Sequence, residues 1–319
     1  MKRIPATLGA LFLLLLLTVA SCTSTLSDEP TTDTRAISFM PTAETRAAVT
    51  GTSLSDGSSF SVWGWYGTEG TITNNVFDGE TVTESGGAWT YGGGSRYWIA
   101  GNTYNFYAVY PAELPTDVKA DVSSDGTITV TNFDCSQTGD AAVDLMTATA
   151  TGVVADDMIA DSRTVSLQLK HELVRVNILV KTEGDIAYVT EAELSGMLYK
   201  GKMVRSGDTS KWQNTEAAEA GNTPFYKKDL QEVDLKGISI LDEMLLIPQE
   251  TNKVQLTLDY NYGYEGSESH STAYLPDVTW NAGQSYTYTL TIEGDGRIHF
   301  ASPTVSTWGE AMGGIIIVD

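Results

Sequence analysis

The chain has 319 residues, and its 19 lysines and arginines against 41 aspartates and glutamates give a formal net charge of −22. Such a surface repels nucleic acid and anionic lipid, which excludes both as binding partners. With 41% hydrophobic residues the chain can form buried cores, and its length suits two domains of about 120–150 residues behind a leader.

The first segment has the pattern of a secretory signal peptide. Lys2 and Arg3 precede an apolar run from Leu8 to Val19, which is too short to span a membrane. The run closes with Val19-Ala20-Ser21-Cys22, the Leu/Val-small-small-Cys pattern of a bacterial lipobox. We predict a signal peptide over residues 1–21 and lipidation of Cys22, since two or more acyl chains anchor a protein stably. The alternative is an ordinary signal peptide with a chance cysteine.

Residues 22–46 are predicted to form a tether or propeptide. Thr23–Thr34 is polar and carries three acidic residues, so it cannot bury apolar surface. It is either a plain linker or an export tag of the kind found in surface lipoproteins. A strand-like run, Ile37–Met40, follows between Arg35-Ala36 and Thr45-Arg46-Ala47.

From here the hydrophobic pattern has a period of two, which is typical of strands in antiparallel sheets. The run Phe60–Tyr66 has bulky residues on both faces, and Thr103–Tyr110 ends at Pro111. Further strands are predicted at Ala88–Tyr91, Thr127–Val130, Leu145–Thr149 and Thr164–Leu169. These runs predict a first β-sandwich over residues 47–170.

A second set of strands opens at Leu173–Lys181 with the opposite alternation, so the phase slips near Lys170–Leu173. A bulge or a domain crossing produces such a slip. We place a domain boundary there, predict a second β-sandwich over residues 171–319, and expect no sheet to combine strands from 50–165 with strands from 175–290. Within it, Ser206–Asn222 is predicted to be a helical or long-loop insertion. The strands that follow are predicted at Glu243–Ile247, Val254–Tyr262, Tyr286–Ile292, Arg297–Phe300 and Gly313–Val318.

No catalytic constellation is found. His171-Glu172 begins like a zinc-protease helix, but Arg175 stands where the second histidine belongs, so His171 is predicted to be a core or rim residue. Asp156, Asp157 and Asp161 lack the ligand spacing of a calcium loop and are predicted to form a solvated loop. The tryptophans Trp63, Trp65 and Trp89 are predicted to lie in the core rather than to stack on sugars. We therefore predict no metal, no cofactor and no enzymatic activity.

Several short motifs occur in order after the lipobox. They are Thr45-Arg46-Ala47, Phe60-Ser-Val-Trp63, Tyr104-Asn-Phe-Tyr-Ala-Val-Tyr-Pro111, Val143-Asp-Leu-Met146, Val165-Ser-Leu-Gln-Leu-Lys-His-Glu-Leu-Val174, Leu246-Ile-Pro-Gln249, Trp280-Asn-Ala-Gly-Gln-Ser-Tyr286 and Trp308. In this order they make the chain resemble the fimbrillin family, the Mfa-like type V pilins and their surface-lipoprotein relatives. The resemblance implies an all-β fold of two transthyretin-like antiparallel β-sandwich domains.

The resemblance also implies an assembly mechanism. A lipidated precursor reaches the outer membrane, and an arginine-specific protease cuts near the start of the mature chain. Arg46 matches the processing position, Ile37–Met40 would be the strand lost, and a strand from another subunit would fill the groove. Arg35 offers a second cutting site that spares this strand, and some relatives remain uncut. Gly313–Val318 is a candidate donor strand or simply the last strand of the second domain.

Two functional hypotheses follow. The first is a stalk, tip or anchor subunit of a fimbria, lipid-anchored to the outer membrane, exposed at the cell surface and partnered by other fimbrial subunits. The second is a solitary surface lipoprotein that binds glycan or host protein through exposed aromatic residues.

Overall fold

The computed structural model describes residues 35–43, 54, 56–155, 164–263 and 267–308. Within those ranges the chain forms twenty-one strands and one short 3-10 turn, Gly139–Ala141, and no α-helix. The all-β prediction is therefore confirmed. No helix in the described part of the chain is long and apolar enough to cross a membrane.

The strands are numbered in chain order. Those of the first half are β1 (Ser38–Ala43), β2 (Ser59–Thr68), β3 (Thr71–Ser85), β4 (Ala88–Tyr91), β5 (Asn102–Tyr110), β6 (Lys119–Val122), β7 (Ile128–Asp134), β8 (Met146–Ala155) and β9 (Thr164–His171). Those of the second half are β10 (Val174–Thr182), β11 (Ala187–Ser195), β12 (Leu198–Ser206), β13 (Thr209–Ala217), β14 (Tyr226–Val233), β15 (Ile238–Ser239), β16 (Met244–Leu246), β17 (Gln255–Tyr262), β18 (Glu268–Tyr274), β19 (Gln284–Ile292), β20 (Ile298–Phe300) and β21 (Thr304–Thr307).

The alternation of apolar and polar residues produces these strands because successive side chains of a strand point to opposite faces. In β17, Leu256, Leu258 and Tyr260 are fully buried, while the residues between them are partly exposed. A period-two pattern can satisfy this one-sided burial only as a strand, so the prediction is confirmed here.

The prediction of a helical or long-loop insertion over Ser206–Asn222 is wrong. The segment contains β13, which runs antiparallel to β12 after a turn at Gly207, whose φ of 57° favours glycine. The ring of Trp212 contacts that of Phe133, with 5.9 Å between centroids, and Ala218 is buried. Packing against β12 thus overrides the helix propensity of the alanine- and glutamate-rich run.

The strands form four sheets. In spatial order they are β1-β9-β8-β5-β2-β3-β4, β15-β10-β19-β20 with β16 on β10 and β21 on β19, β14-β11-β17-β18, and β13-β12-β7-β6. Most neighbours are antiparallel, as predicted. Two pairs are parallel, β1 with β9 and β10 with β19.

The phase slip near Lys170–Leu173 marks a passage between sheets, because β9 is the last strand along the chain that belongs to the seven-stranded sheet and β10 belongs to another sheet. The expectation that no sheet would combine strands from both halves is wrong, since β7 pairs with β12. The physical reason is that β7 buries Ile128, Val130 and Phe133 in the same core as Met203 of β12. Strand β2 also buries side chains on both faces. Phe60 belongs to a core built only from residues 37–169, whereas Trp63 belongs to a core shared with the second half. The domain limits themselves stay a prediction.

A buried ion pair links the two halves. Arg205 Nη1 of β12 lies 2.7 Å from Glu172 Oε1 and donates to Thr147 Oγ1 of β8, also at 2.7 Å. The arginine and glutamate side chains are 4% and 2% exposed. Removing one partner of such a pair leaves an uncompensated charge in the interior. The pair therefore ties the seven-stranded sheet to the sheet that contains strands of both halves.

Substituting one partner of this pair should destabilise the fold. We expect Glu172→Ala to lower the free energy of unfolding by about 3–5 kcal/mol, since Arg205 would be left buried without its carboxylate. The matched control is Asp242→Ala, which removes a 63% exposed carboxylate 3.4 Å from Lys227 and should cost about 0–1 kcal/mol. Urea unfolding followed by tryptophan fluorescence measures both, and equal losses would contradict the assignment.

Candidate functional site

Of the residues that the sequence singles out for assembly, Arg35 and the run Ile37–Met40 are described. Residues 38–40 form the beginning of β1, and Ile37 lies directly before it. Cys22, Arg46 and Gly313–Val318 lie outside the described residues. The site that can be built from atomic contacts is therefore the position that β1 occupies, which we call the β1 slot.

One wall of the β1 slot is strand β9. The two strands pair in parallel over six residues, from Ser38 opposite Thr164 to Ala43 opposite Leu169. On its other side β9 pairs with β8 at only two positions, His171 and Lys170. Most of the backbone hydrogen bonding of β9 therefore depends on β1, and an empty slot would leave a nearly unpaired strand.

The other wall is the segment that follows β4. The backbone N–H of Ile37 donates to the carbonyl of Arg96 at 2.8 Å, and that of Trp98 donates to the carbonyl of Arg35 at 3.1 Å. The hydroxyl of Tyr91 donates to the carbonyl of Ile37, also at 2.8 Å. Because β4 and β9 lie near opposite ends of the seven-stranded sheet, β1 connects its two edges.

Tyr91 and Arg96 form a small network behind this wall. The Arg96 guanidinium lies 4.9 Å from the ring centroid of Phe77 and 5.5 Å from that of Tyr91, and its Nη2 lies 2.7 Å from Glu80 Oε2. The backbone N–H of Arg96 donates to the Tyr91 hydroxyl. Burial raises the pKa of Tyr91, which keeps the hydroxyl protonated and able to donate to Ile37.

The side chains of β1 alternate between core and solvent. Ile37 and Phe39 are 1% and 3% exposed, whereas Met40 is 55% exposed. Ile37 and Phe39 both belong to the core that is built from residues 37–169. The two side chains contribute about 1.5–3 kcal/mol each by leaving water.

Phe39 occupies an aromatic pocket inside the slot. Its ring makes edge contacts with the rings of Phe77, Phe106, Phe60 and Tyr91, at centroid distances of 5.2, 5.5, 6.2 and 6.2 Å. Such edge contacts add to the energy of burial. With β1 absent, the pocket and the edge of β9 would form a continuous groove that needs an apolar strand to fill it.

The remaining candidates behave as structural residues. His171 is 9% exposed at its side chain, with Nδ1 3.0 Å from Asp144 Oδ2, so its prediction as a core or rim residue is confirmed. Trp63 and Trp65 are 6% and 7% exposed, which confirms that they belong to the core, and Trp89 is half-buried with its ring 5.3 Å from that of Phe60. The loop with Asp156, Asp157 and Asp161 lies outside the described residues. Among those described, no cluster of ligands that could hold a metal ion is found.

Sequence reasoning missed the residues that hold β1 on its second side. The sequence pattern places Tyr91 only in a short strand and gives no signal for Arg96. Both lie beside the glycine-rich stretch Gly92–Gly94. That stretch predicts a turn but does not indicate which strand the turn will contact.

A comparison with family models gives a match that covers most of the chain. The model described as fimbrillin-like matches residues 45–308. The chain belongs to the fimbrillin-like family. The members of this family are structural proteins, and this fimbrillin-like protein is accordingly not an enzyme.

Solved structures support the fold of this fimbrillin-like protein. A fimbrial protein from Bacteroides vulgatus ATCC 8482 is 21% identical and has a TM-score of 0.54, with 78% of this chain and 92% of that chain covered. A candidate cell adhesion protein from Bacteroides ovatus ATCC 8483 is 17% identical with a TM-score of 0.53, covering 86% and 97%. No curated protein sequence matches.

The contribution of the slot can be measured by shortening one side chain. In residues 23–319 we expect Phe39→Ala to lower the free energy of unfolding by about 3–5 kcal/mol, because it empties the aromatic pocket. Met40→Ala, one residue along the same strand but pointing to solvent, should change it by about 0.5 kcal/mol or less. Urea unfolding compares the two. Similar effects of both substitutions would show that β1 is not held by its inward face.

Proposed function

We propose that this protein is a structural subunit of a cell-surface fimbria, in a stalk, tip or anchor position. The observation that carries the proposal is the β1 slot. A single strand near the start of the chain closes the seven-stranded sheet, supplies most of the pairing of β9 and fills an aromatic pocket with Phe39. Membership of the fimbrillin-like family supports the same role.

In the proposed assembly, the precursor is lipidated at Cys22 and carried to the outer membrane, where it is exposed at the cell surface. A protease then cuts after Arg46, and β1 leaves the slot. A strand from another fimbrial subunit takes its place, with main-chain hydrogen bonds to β9 giving affinity and the pocket of Phe39 giving register. Donor strands that bury several large apolar side chains are held by about 1.5–3 kcal/mol for each.

The choice between the two arginines follows from what each cut would release. A cut after Arg46 frees the whole of β1 from the rest of the chain. A cut after Arg35 leaves β1 attached, and the carbonyl of Arg35 already accepts a hydrogen bond from the backbone of Trp98. A protease binds the backbone of an extended substrate, and the backbone of Arg35 is already engaged by Trp98. We therefore assign Arg46 as the processing site.

The lipid anchor is tested by replacing its attachment point. Cys22→Ala should release the protein from membranes or stop its maturation, because the acyl chains provide the attachment. The measurement is incorporation of radiolabelled palmitate together with membrane fractionation. Cys135→Ala is the matched control, since that thiol is buried and should not affect labelling. Palmitate that still enters the Cys22→Ala protein would rule the anchor out.

Strand exchange is tested by cutting the precursor. Residues 23–319 treated with an arginine-specific protease should change from a monomer into polymers, or into complexes with added family subunits, because the emptied slot exposes apolar surface and a strand edge. Gel filtration and N-terminal sequencing follow the reaction. Arg46→Lys is the matched control and should stay monomeric.

A synthetic peptide that spans residues 36–44 tests directly whether the empty slot causes the assembly. Added in excess during cleavage, it should refill the slot and keep the protein monomeric, whereas the same peptide with alanine at the position of Phe39 should not. Clean cleavage after Arg46 that leaves a stable monomer, even with other family subunits supplied, would overturn strand exchange. The alternative of a solitary surface lipoprotein would then remain.

A further inference from the structure

A cleft of about 590 Å³ lies at the far end of β9, beyond the residues that pair with β1. Its walls come from the end of β9, from the β12–β13 hairpin, from residues 248–250 and 279–284, and from Thr307 and Trp308. This volume falls within the range of sites for small organic ligands, about 300–1,000 Å³. The cleft is separate from the β1 slot and is not explained by fimbrial assembly.

One wall of the cleft is an aromatic ring that is held in a fixed position. The indole of Trp308 stacks on the imidazole of His171, with centroids 4.2 Å apart and planes 10° from parallel. His171 is itself fixed by Asp144, and the backbone N–H of Trp308 donates to the carbonyl of Gly283 at 3.0 Å. Trp308 remains only partly buried, so its indole is a preorganised apolar surface within the cleft.

The cations that line the cleft are compensated by neighbouring carboxylates. Arg205 is paired with Glu172 in the interior, and Lys170 Nζ lies 3.5 Å from Asp208 Oδ1. An anionic ligand would therefore find no cation that is free of a carboxylate partner among these residues. Burial or pairing of both positive side chains favours an uncharged ligand over a charged one.

Polar groups without protein partners face the same space. Among the described residues, the side chains of Ser210 and Gln284 make no hydrogen bond, although both line the cleft. Glu250 accepts from the Thr279 hydroxyl through Oε1, which leaves its second oxygen available, and Asn281 donates through Nδ2, which leaves its carbonyl oxygen to accept. The cleft thus offers both donors and acceptors beside an indole.

From this combination we infer that the cleft binds a neutral saccharide. A sugar ring has an apolar C–H face that packs on an aromatic plane, while its hydroxyls both donate and accept. The groups that the cleft presents, an indole, a hydroxyl, two amides and a carboxylate, match this chemistry. Trp63 and Trp65 are buried in the core, as the sequence predicts, and the ring that a sugar can pack against in the cleft is that of Trp308.

The test uses residues 23–319 in titration calorimetry with cellohexaose, maltohexaose, xylohexaose and mannohexaose, with sialyllactose as the charged probe. We expect saturable binding of at least one neutral hexaose, and the Ser210→Ala, Gln284→Ala double variant should bind it about tenfold more weakly, since two hydrogen bonds to the ligand would be lost. The matched control is Ser136→Ala with Gln137→Ala, a serine and glutamine outside the cleft, which should bind as the unchanged protein does.

Trp308→Ala provides a second measurement. It should abolish binding of the hexaose but leave polymerisation of the protease-cut protein unchanged, because the slot and the cleft use different residues. Failure of all four hexaoses to bind, stronger binding of sialyllactose, or an unchanged affinity in the Ser210, Gln284 double variant would each overturn the proposal. None of these results would bear on strand exchange, which is measured by gel filtration of the cleaved protein.

Discussion

The parallel pairing of β1 with β9 is the contact on which the first half of the structure depends. Strand β9 has six residue pairs with β1 and only two with β8, so its place in the sheet is maintained chiefly by a strand near the chain start. The inward side chains of β9, among them Val165, Leu167 and Leu169, belong to the same core as Phe39. Pairing and packing therefore depend on the same six-residue strand.

This dependence extends beyond the first core, because strand β2 of the seven-stranded sheet contributes side chains to two cores. Strand β2 presents Phe60 to the ring of Phe39 and Trp63 to the core that contains most of the second half. A sheet that is buried on both faces carries bulky residues at successive positions, which is the pattern seen between Phe60 and Tyr66. The two cores thus consist of different residues, and strand β2 borders both of them.

Strand β9 also connects the two sites. Its first six residues form a wall of the β1 slot, while Lys170 and His171 at its end line the cleft, and His171 supports the ring of Trp308. In both sites the cations are paired with carboxylates, Arg96 with Glu80 and Arg205 with Glu172. A chain with a net charge of −22 has enough carboxylates to do this, and the pairing gives both sites an apolar or neutral character.

The class of fold, most of the strands and the inward face of β1 follow from the sequence alone, because each of these depends on local alternation of apolar and polar residues. Ile37 and Phe39 are separated by one residue, and this spacing alone places them on one face. Motif order was enough to indicate the family. These properties need no knowledge of which strands are neighbours.

The tertiary structure sets the pairings between distant strands, since a period of two specifies the face of a strand and not its partner. It placed β1 beside β9 and Arg96, joined β7 to β12 across the expected boundary, and made a strand of β13 against its local helix propensity. The cleft likewise arises from residues that are up to 138 positions apart, Lys170 and Trp308 being its extremes. Contacts between residues so far apart in sequence depend on how whole sheets pack, and no local sequence pattern specifies that packing.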